Sequence, residues 1–313
     1  MAAGIAVRVL ITGSRGFIGG SLGRSLAASG HEVLGLGRAS QPLDGWPAGY
    51  VQVDVASADL TGVVDAFRPD AILHAAGPAS VSASFLSPQE DLRASLSTWA
   101  NVLESARRSG AEPVVVIFSS AAVYGQPPLP AGETVPVAPI SPYGFHKAAC
   151  ELLALEYAEC FGQRVLVCRL FSVFGPRQRR LLVWELYERL RGPDKEVWLD
   201  GTGRESRDYL HVDDIAAAVE GLLGSGVAAG GTCSIVNIGR GEETTVSDLA
   251  DQLRDLLAPE KAVRWHGNAR PGDPARWCAD ASRLRALVPE WKPHPLAVGL
   301  GDCVAAWDRG EGA

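Results

Sequence analysis

"LITGSRGFIGG", residues Leu10 to Gly20, is the stretch on which the fold turns. The run that leads into it, "VRVLIT", has the β-branched composition of a buried strand, and Gly19 to Ser29 behind it reads as a helix. Gly13, Gly16 and Gly19 stand at the junction. A glycine at the first position permits a tight turn, the second lets backbone approach a pyrophosphate, and the third lets helix and strand pack closely. The opening of the helix then offers unpaired N–H groups to phosphate. The spacing is G-x-x-G-x-x-G and not the commoner G-x-G-x-x-G, so its meaning depends on what surrounds it.

What surrounds it is an alternation of strands and helices. "EVLGL", "YVQVDV", "AILHAA" and "PVVVIFSS" are short β-branched runs, separated by helix-like stretches of which one ends near Arg108. That order predicts βαβ units in an α/β fold, a Rossmann-like doubly wound parallel sheet. "VVVIF" has no polar member, as a strand covered on both faces requires. After "RVLVCRLF" (Arg164 to Phe171) the chain becomes turn-rich, in "GPRQRR" and "DGTGRESRD", and "CSIVNIG" (Cys233 to Gly239) reads as a strand returning to the sheet. The expected division is a dinucleotide-binding domain of residues 1–170 plus about 207–240, with a smaller C-terminal substrate-binding lobe of about 171–206 and 241–313.

Composition narrows the functional class. The chain has 313 residues, 47% of them hydrophobic, enough for a real core. A net charge of -7 argues against a general partner for nucleic acid or acidic membrane, and the one dense cationic cluster, Arg177, Arg179 and Arg180, is short. Six cysteines carry no C-x-x-C pair and no histidine at metal-ligand spacing, so they are expected to be reduced and mostly buried, and no metal is expected. The N-terminal run "GIAVRVLITG" is interrupted by Arg8 and too short to span a bilayer, which makes a cytoplasmic enzyme the default expectation.

An acidic residue usually ends the second strand of a NAD-binding Rossmann fold and holds the adenosine ribose. Here "EVLGLGR" ends in Gly37 and Arg38. An arginine can pair with a 2′-phosphate, so Arg38 tilts the cofactor from NAD towards NADP; the plainer alternative is a solvated arginine. Asp54 in "VQVDV" can accept from the adenine amine; a helix N-cap is the alternative of nearly equal weight.

"SPYGFHK", Ser141 to Lys147, sets a tyrosine and a lysine four residues apart at the start of a helix, on one face. Pro142 suits a first helical turn. A free phenol ionises near pH 10, and an adjacent ammonium favours the phenolate; Lys147 is placed to supply that charge. "FSSAAVYG", Phe118 to Gly125, ends the buried strand in two serines where a doubly wound sheet binds ligands. A serine hydroxyl there can orient a sugar hydroxyl for proton removal by Tyr143.

Taken together, these stretches resemble the extended short-chain dehydrogenase/reductase family of sugar-nucleotide epimerases, dehydratases and ketoreductases, over nearly the whole chain. "TGSRGFIG" is similar to its cofactor turn, "HAAG" to its fourth-strand end, "SSAAVYG" to its serine motif and "SPYGFHK" to its Tyr/Lys motif, with "RLFSVFGPRQ", "GTGRESRDYLHVDDIA", "NIG" and "RPGD" following in family order. The resemblance implies Tyr143 as acid/base, Lys147 as ligand of the nicotinamide ribose, and Ser120 as the orienting hydroxyl. It implies cofactor contacts from Gly13, Gly16, Phe17, Ile18, Gly19, Arg38, Asp54, Val55, Ala75 and Ala76. For a nucleotide-diphosphate sugar it implies Ser120, Ala121, Ser172, Arg207, Arg270 and Asp273, the arginines taking the diphosphate; Arg207 could instead pair with Asp213 or Asp214. Ser172 and Ser95 stand where the family often has asparagine. Relatives commonly form homodimers through the two long helices around Trp99 and Tyr143, and a homodimer is expected.

The resemblance also orders the reactions. Dehydrating relatives carry Asp-Glu after the serine, where this chain has Ala121 and Ala122, so dehydration is disfavoured. Hydride and proton transfer remain. A 4-epimerase with tightly held cofactor ranks narrowly above an NADPH-dependent 4-keto-sugar reductase, to which the Gly37-Arg38 strand end is similar. A non-catalytic sugar-nucleotide or cofactor-sensing module on the same fold is the remote alternative. Trp184 and Trp198 could stack on a base, although core packing is the plainer role.

Overall fold

The computed structural model describes residues 6–227, 233–268 and 274–310. The first half alternates as follows: β1 (Arg8–Thr12), α1 (Phe17–Ala28), β2 (Glu32–Gly37), β3 (Gly49–Gln52), α2 (Thr61–Phe67), β4 (Ala71–His74), α3 (Val81–Leu86), α4 (Pro88–Arg108), β5 (Val114–Ser120), α5 (Pro142–Phe161) and β6 (Val165–Leu170). Then come β7 (Ser172–Phe174), α6 (Leu181–Arg191), β8 (Glu196–Leu199), β9 (Ser206–Arg207), β10 (Tyr209–His211), α7 (Val212–Gly224) and β11 (Cys233–Ile238). The chain finishes with β12 (Thr244–Thr245), α8 (Val246–Leu257), β13 (Ala262–Trp265), α9 (Ser282–Leu287) and α10 (Leu296–Asp308).

Seven strands form one sheet in the order β11-β6-β5-β4-β1-β2-β3, and every neighbouring pair is parallel. "CSIVNIG" does return to the sheet, with Cys233 opposite Val165 and Ile238 opposite Leu170. The strand order reverses between β1 and β4, and the crevice outside their carboxyl ends is where an open α/β sheet binds ligands.

Strand parity distributes the two cores. Val9, Ile11, Val116 and Phe118 pack towards Leu22 and Leu26 of α1 and Ile215, Val219 and Leu222 of α7. Leu10, Val115 and Ile117 point the other way, onto Trp99, Val102 and Leu103 of α4 and Cys150 and Ala154 of α5. Fully burying one such side chain contributes about 1.5–3 kcal/mol. Leu284, Val288 and Trp291, in and after α9, join the α1/α7 layer. A separate cluster unites Val183, Leu186 and Leu190 of α6 with Val197 and Leu199 of β8, Leu249 and Leu253 of α8 and Leu300 and Trp307 of α10.

The two long helices are locally well specified. In α4, Pro88 occupies the first turn with Glu90 and Asp91, and Arg107 and Arg108 the last, which matches the helix dipole at both ends. In α5, the Ser141 hydroxyl accepts from the Gly144 N–H at 3.2 Å, Pro142 follows, and Gly162 closes the helix at φ 68°. The six cysteines are unpaired; Cys150, Cys168, Cys278 and Cys303 are buried, Cys233 half-buried and Cys160 exposed.

Candidate active site

The glycine turn closes where the sheet order reverses. Gly13 has φ +69°, a conformation that disfavours side chains, and a Cβ there would lie 2.7 Å from the carbonyl oxygen of Ala75 and the amide of Ala76. The turn after β1 is therefore packed directly on the end of β4, which places Ala75 and Ala76 beside it. The Gly16 N–H donates to the Gly13 carbonyl at 2.8 Å, and Gly16 caps α1 without a side-chain hydrogen bond. No acidic side chain occupies the first turn, so the N–H groups of Phe17 and Ile18 meet no competing carboxylate from their own helix. This is a cradle that fits a dinucleotide diphosphate.

The far end of that crevice is more open. Arg38 is exposed at the end of β2, its carbonyl accepting from Gln52 at 3.0 Å, and Tyr50 donates to the next carbonyl, Ala39, at 2.7 Å. Asp54 is exposed and accepts from the Ala56 N–H at 3.0 Å in a turn and not at a helix start, since α2 opens only at Thr61. Val55 is buried, and its carbonyl accepts from Asn101 at 2.8 Å.

At the end of β5 three consecutive residues are tied to their surroundings. The Phe118 carbonyl accepts from the Lys147 ammonium at 3.0 Å; the Ser119 hydroxyl donates to Glu151 at 2.6 Å; the Ser120 hydroxyl accepts from the Ala122 N–H at 3.1 Å. Lys147 is buried, with its ammonium 5.4 Å from the Trp99 ring centroid and 5.7 Å from that of Tyr143. Lys147 and Tyr143 thus come together against the end of β5, the strand that ends in Ser120. The backbone N–H of Tyr143 donates to Ser84 of α3 at 3.0 Å. Gly144 is required here, since a Cβ would fall 2.5 Å from the Ala122 carbonyl.

Beside Ser95, whose place in the family pattern the sequence showed, several groups in this region went unread in the sequence. His74, at the end of β4, is fully enclosed; its Nδ1 shares a 2.7 Å hydrogen bond with Thr12, and its ring meets Trp99 edge-on at 6.0 Å. Burial, helped by the nearby Lys147 charge, pushes its imidazole down to about 3. The Ser95 hydroxyl, one turn before Trp99, is buried without a hydrogen-bond partner among the described residues. Asp91 of α4 and His146 of α5 form a buried pair at 2.5 Å. The i, i+4 relation of Lys147 to Glu151 was legible as a shared helix face; the partners of Glu151, from two strands, were not.

Of the residues expected to meet a sugar nucleotide, Ser172 is half-buried on β7, its N–H donating to the Asp208 carbonyl at 2.9 Å. Ala121 is buried in the turn after Ser120. Arg207 is buried, donates to the Ser206 carbonyl at 2.6 Å and lies 5.3 Å from the Trp277 ring centroid. Asp214 is engaged by the His294 ring and backbone N–H, at 2.6 and 3.1 Å. Asp208 accepts backbone N–H groups from Arg240, Gly241 and Ala279, while burial raises its carboxyl above the usual range. Arg270 and Asp273 lie outside the described residues. Trp184 packs on Tyr187 and Trp307, and Trp198, half-exposed, stacks on His266. Arg177, Arg179 and Arg180 line a cavity of about 240 Å³ together with Phe17 and Gln178.

Residues 9–239 match the model of the NAD dependent epimerase/dehydratase family. The chain is 32% identical over 313 aligned residues to the UDP-glucose 4-epimerase of Mycolicibacterium smegmatis, covering 95% of this chain and 97% of that protein. Among solved structures it is similar to MoeE5 in complex with UDP-glucose and NAD, with a TM-score of 0.86, 29% identity and coverage of 97% and 99% of the two chains. The Thermus thermophilus UDP-glucose 4-epimerase complex with NAD superposes with a TM-score of 0.83 at 30% identity, covering 96% of this chain and 99% of that one.

Proposed function

The chain belongs to the NAD dependent epimerase/dehydratase family, and from that premise we propose that it is a 4-epimerase of nucleotide-diphosphate sugars. The observation that carries the reading is the convergence of Ser120, Tyr143 and Lys147 at the carboxyl edge, beside a phosphate cradle and next to Ala121 and Ala122, which supply no acid or base for loss of water. Its curated and structural relatives include UDP-sugar 4-epimerases that cover almost the whole chain.

In this mechanism the turn at Gly13, Gly16 and Gly19 and the N–H groups of Phe17 and Ile18 hold the diphosphate of the cofactor. Asp54 and Val55 lie at the adenine end, and Ala75 and Ala76 form the wall behind the turn. Bound nicotinamide supplies the chemistry of taking hydride from C4 of the sugar and returning it. Tyr143 removes the proton of the C4 hydroxyl and later restores it, general acid–base work for which Ser120 orients the hydroxyl. Lys147, fixed by the Phe118 carbonyl, supplies positive charge beside the phenol and binds the nicotinamide ribose. Arg207, with Arg270 and Asp273, holds the sugar-nucleotide diphosphate, and Ser172 and Ala121 line the sugar.

An NADPH-dependent 4-keto-sugar reductase is the second reading, favoured by exposed Arg38 at the end of β2 where a ribose-binding acid would otherwise stand. The same triad retains chemistry in both readings, which counts against a non-catalytic sensing role. A homodimer is part of the proposal: Phe145, Leu152 and Phe161 on α5 and Leu86 on α3 are exposed, and a second copy packed there would cover them. The described residues contain no helix long and apolar enough to cross a membrane, and a cytoplasmic location without nucleic-acid or membrane partners is proposed from composition.

One preparation tests these readings. The purified protein is denatured to release and identify bound cofactor, and intact protein is assayed with UDP-glucose, UDP-glucuronic acid and 4-keto sugar nucleotides. Co-purified NAD with interconversion that needs no added cofactor supports the epimerase. Empty protein that consumes NADPH only with a 4-keto sugar overturns it and makes Arg38 the ligand of a 2′-phosphate.

A further inference from the structure

We propose that the buried Glu151–Arg169 ion pair is a positioning device for the reaction, setting the separation between Ser120 and the Tyr143/Lys147 face of α5; this rests on the triad chemistry proposed above. Glu151 lies one helical turn beyond Lys147. One of its carboxylate oxygens accepts from the Ser119 hydroxyl at 2.6 Å and from Arg169 Nε at 3.0 Å, and the other from Arg169 Nη2 at 2.6 Å. Both charged side chains are at least nine-tenths buried.

The connections continue on the strand side. The Arg169 guanidinium stacks 4.7 Å from the Tyr124 ring centroid, and its Nη1 donates to the Glu133 carbonyl at 3.4 Å. The Tyr124 hydroxyl donates to Asn237 of β11 at 2.7 Å, while the Asn237 backbone N–H donates to the Glu133 carboxylate at 2.9 Å and its side-chain amide to the Ala131 carbonyl at 2.8 Å. One set of bonds therefore spans α5, the ends of β5, β6 and β11, and the turn that carries Ala121 and Ala122.

The placement is what argues for a role beyond cohesion. Ser119 precedes Ser120 on the same strand, and Phe118, the residue before it, holds Lys147. Two successive residues of β5 are thus pinned to two successive turns of the helix that bears the acid/base, so the spacing between strand and helix has little freedom. An apolar pair of similar volume would stabilise the layer as well or better, because desolvating two charges consumes much of their attraction. What bidentate charged hydrogen bonds add is direction. A misplacement of about 1 Å at reacting groups can lower a rate about 100-fold.

The test compares wild type, Glu151→Gln and the double variant Glu151→Leu/Arg169→Met, with bound cofactor, thermal unfolding, kcat and KM measured on each. For Glu151→Gln the expected result is a kcat reduced about 10- to 100-fold with KM changed less than about threefold and cofactor retained. The double variant should regain thermal stability and remain slow. A double variant that regains both stability and wild-type kcat, or a folded Glu151→Gln protein with undiminished kcat, overturns the inference and leaves the epimerase reading intact. If Glu151→Gln does not fold, the double variant decides alone; if neither folds, Glu151→Asp, which keeps the charge but shortens the tether, should be stable and slow, and full activity in it overturns the inference. A wild type that fails to interconvert sugars but reduces 4-keto sugar nucleotides removes the epimerase reading, and the same variants are then compared in that reductase assay.

Discussion

The two faces of the sheet are built on opposite plans. The layer under α1 and α7 is apolar within, filled by Leu22, Leu26, Ile215, Val219 and Leu222. The layer under α4 and α5 places Lys147, Glu151, Asp91, His146 and His74 among its buried groups, while Phe145, Leu152 and Phe161 lie exposed on the outside of α5. The first face is held chiefly by apolar area, with the buried Asp214 of α7 taken up by His294. On the second, Lys147, Glu151, Asp91 and His146 are each held by a fixed partner, His74 is kept neutral, and apolar side chains stand exposed on the outer side of α5. The residues proposed for the chemistry sit on the face with more buried polar groups.

Tyr143→Phe should break the comparison most severely, lowering kcat about 100- to 10,000-fold while the protein stays folded with its cofactor, measured by steady-state turnover and thermal unfolding. On the opposite face Leu222→Ala should do the reverse. It should cost about 2–5 kcal/mol of stability in denaturant unfolding, yet leave kcat near wild type where the protein is folded.

The polar face should also betray itself in pH dependence. His74 in the unfolded chain protonates around its ordinary 6.5, whereas in the folded protein burial holds it to about 3. Between these values the unfolded state binds the extra proton, so this histidine's contribution is intact above pH 6.5 and is lost as pH falls towards 3. The slope approaches about 1.4 kcal/mol per pH unit from this group. Denaturant unfolding at several pH values should show that slope, and His74→Asn should flatten it. The smallest energetic change is on the exterior: Leu152→Glu with Phe145→Glu should convert a dimer to a monomer in light scattering. A wild type that is already monomeric would remove the proposed interface.

Much of this was readable from the chain alone. Parallel strands, the glycine turn, and Tyr143 and Lys147 on one helix face all follow from local periodicity, because strand parity and the 3.6-residue helical repeat are properties of consecutive residues. Asp54 was legible only as two alternatives, and its capping of Ala56 is the contact the structure shows. Glu151 offered one sign, its spacing from Lys147, and no sign of Ser119 or Arg169, which approach it from separate strands. Ser84 gave none, since its bond to the Tyr143 N–H joins residues 59 apart.

The sequence by itself determined the α/β class, the place of the glycine turn and which tyrosine, lysine and serine are proposed for the chemistry, since each is encoded within a few residues by spacing and side-chain type. Only the tertiary structure decided how these pieces are held in register. Which carboxylate meets which guanidinium, which histidine is sealed neutral behind Trp99, and which apolar side chains stay outside depend on strand order, and that order is set by packing the whole sheet.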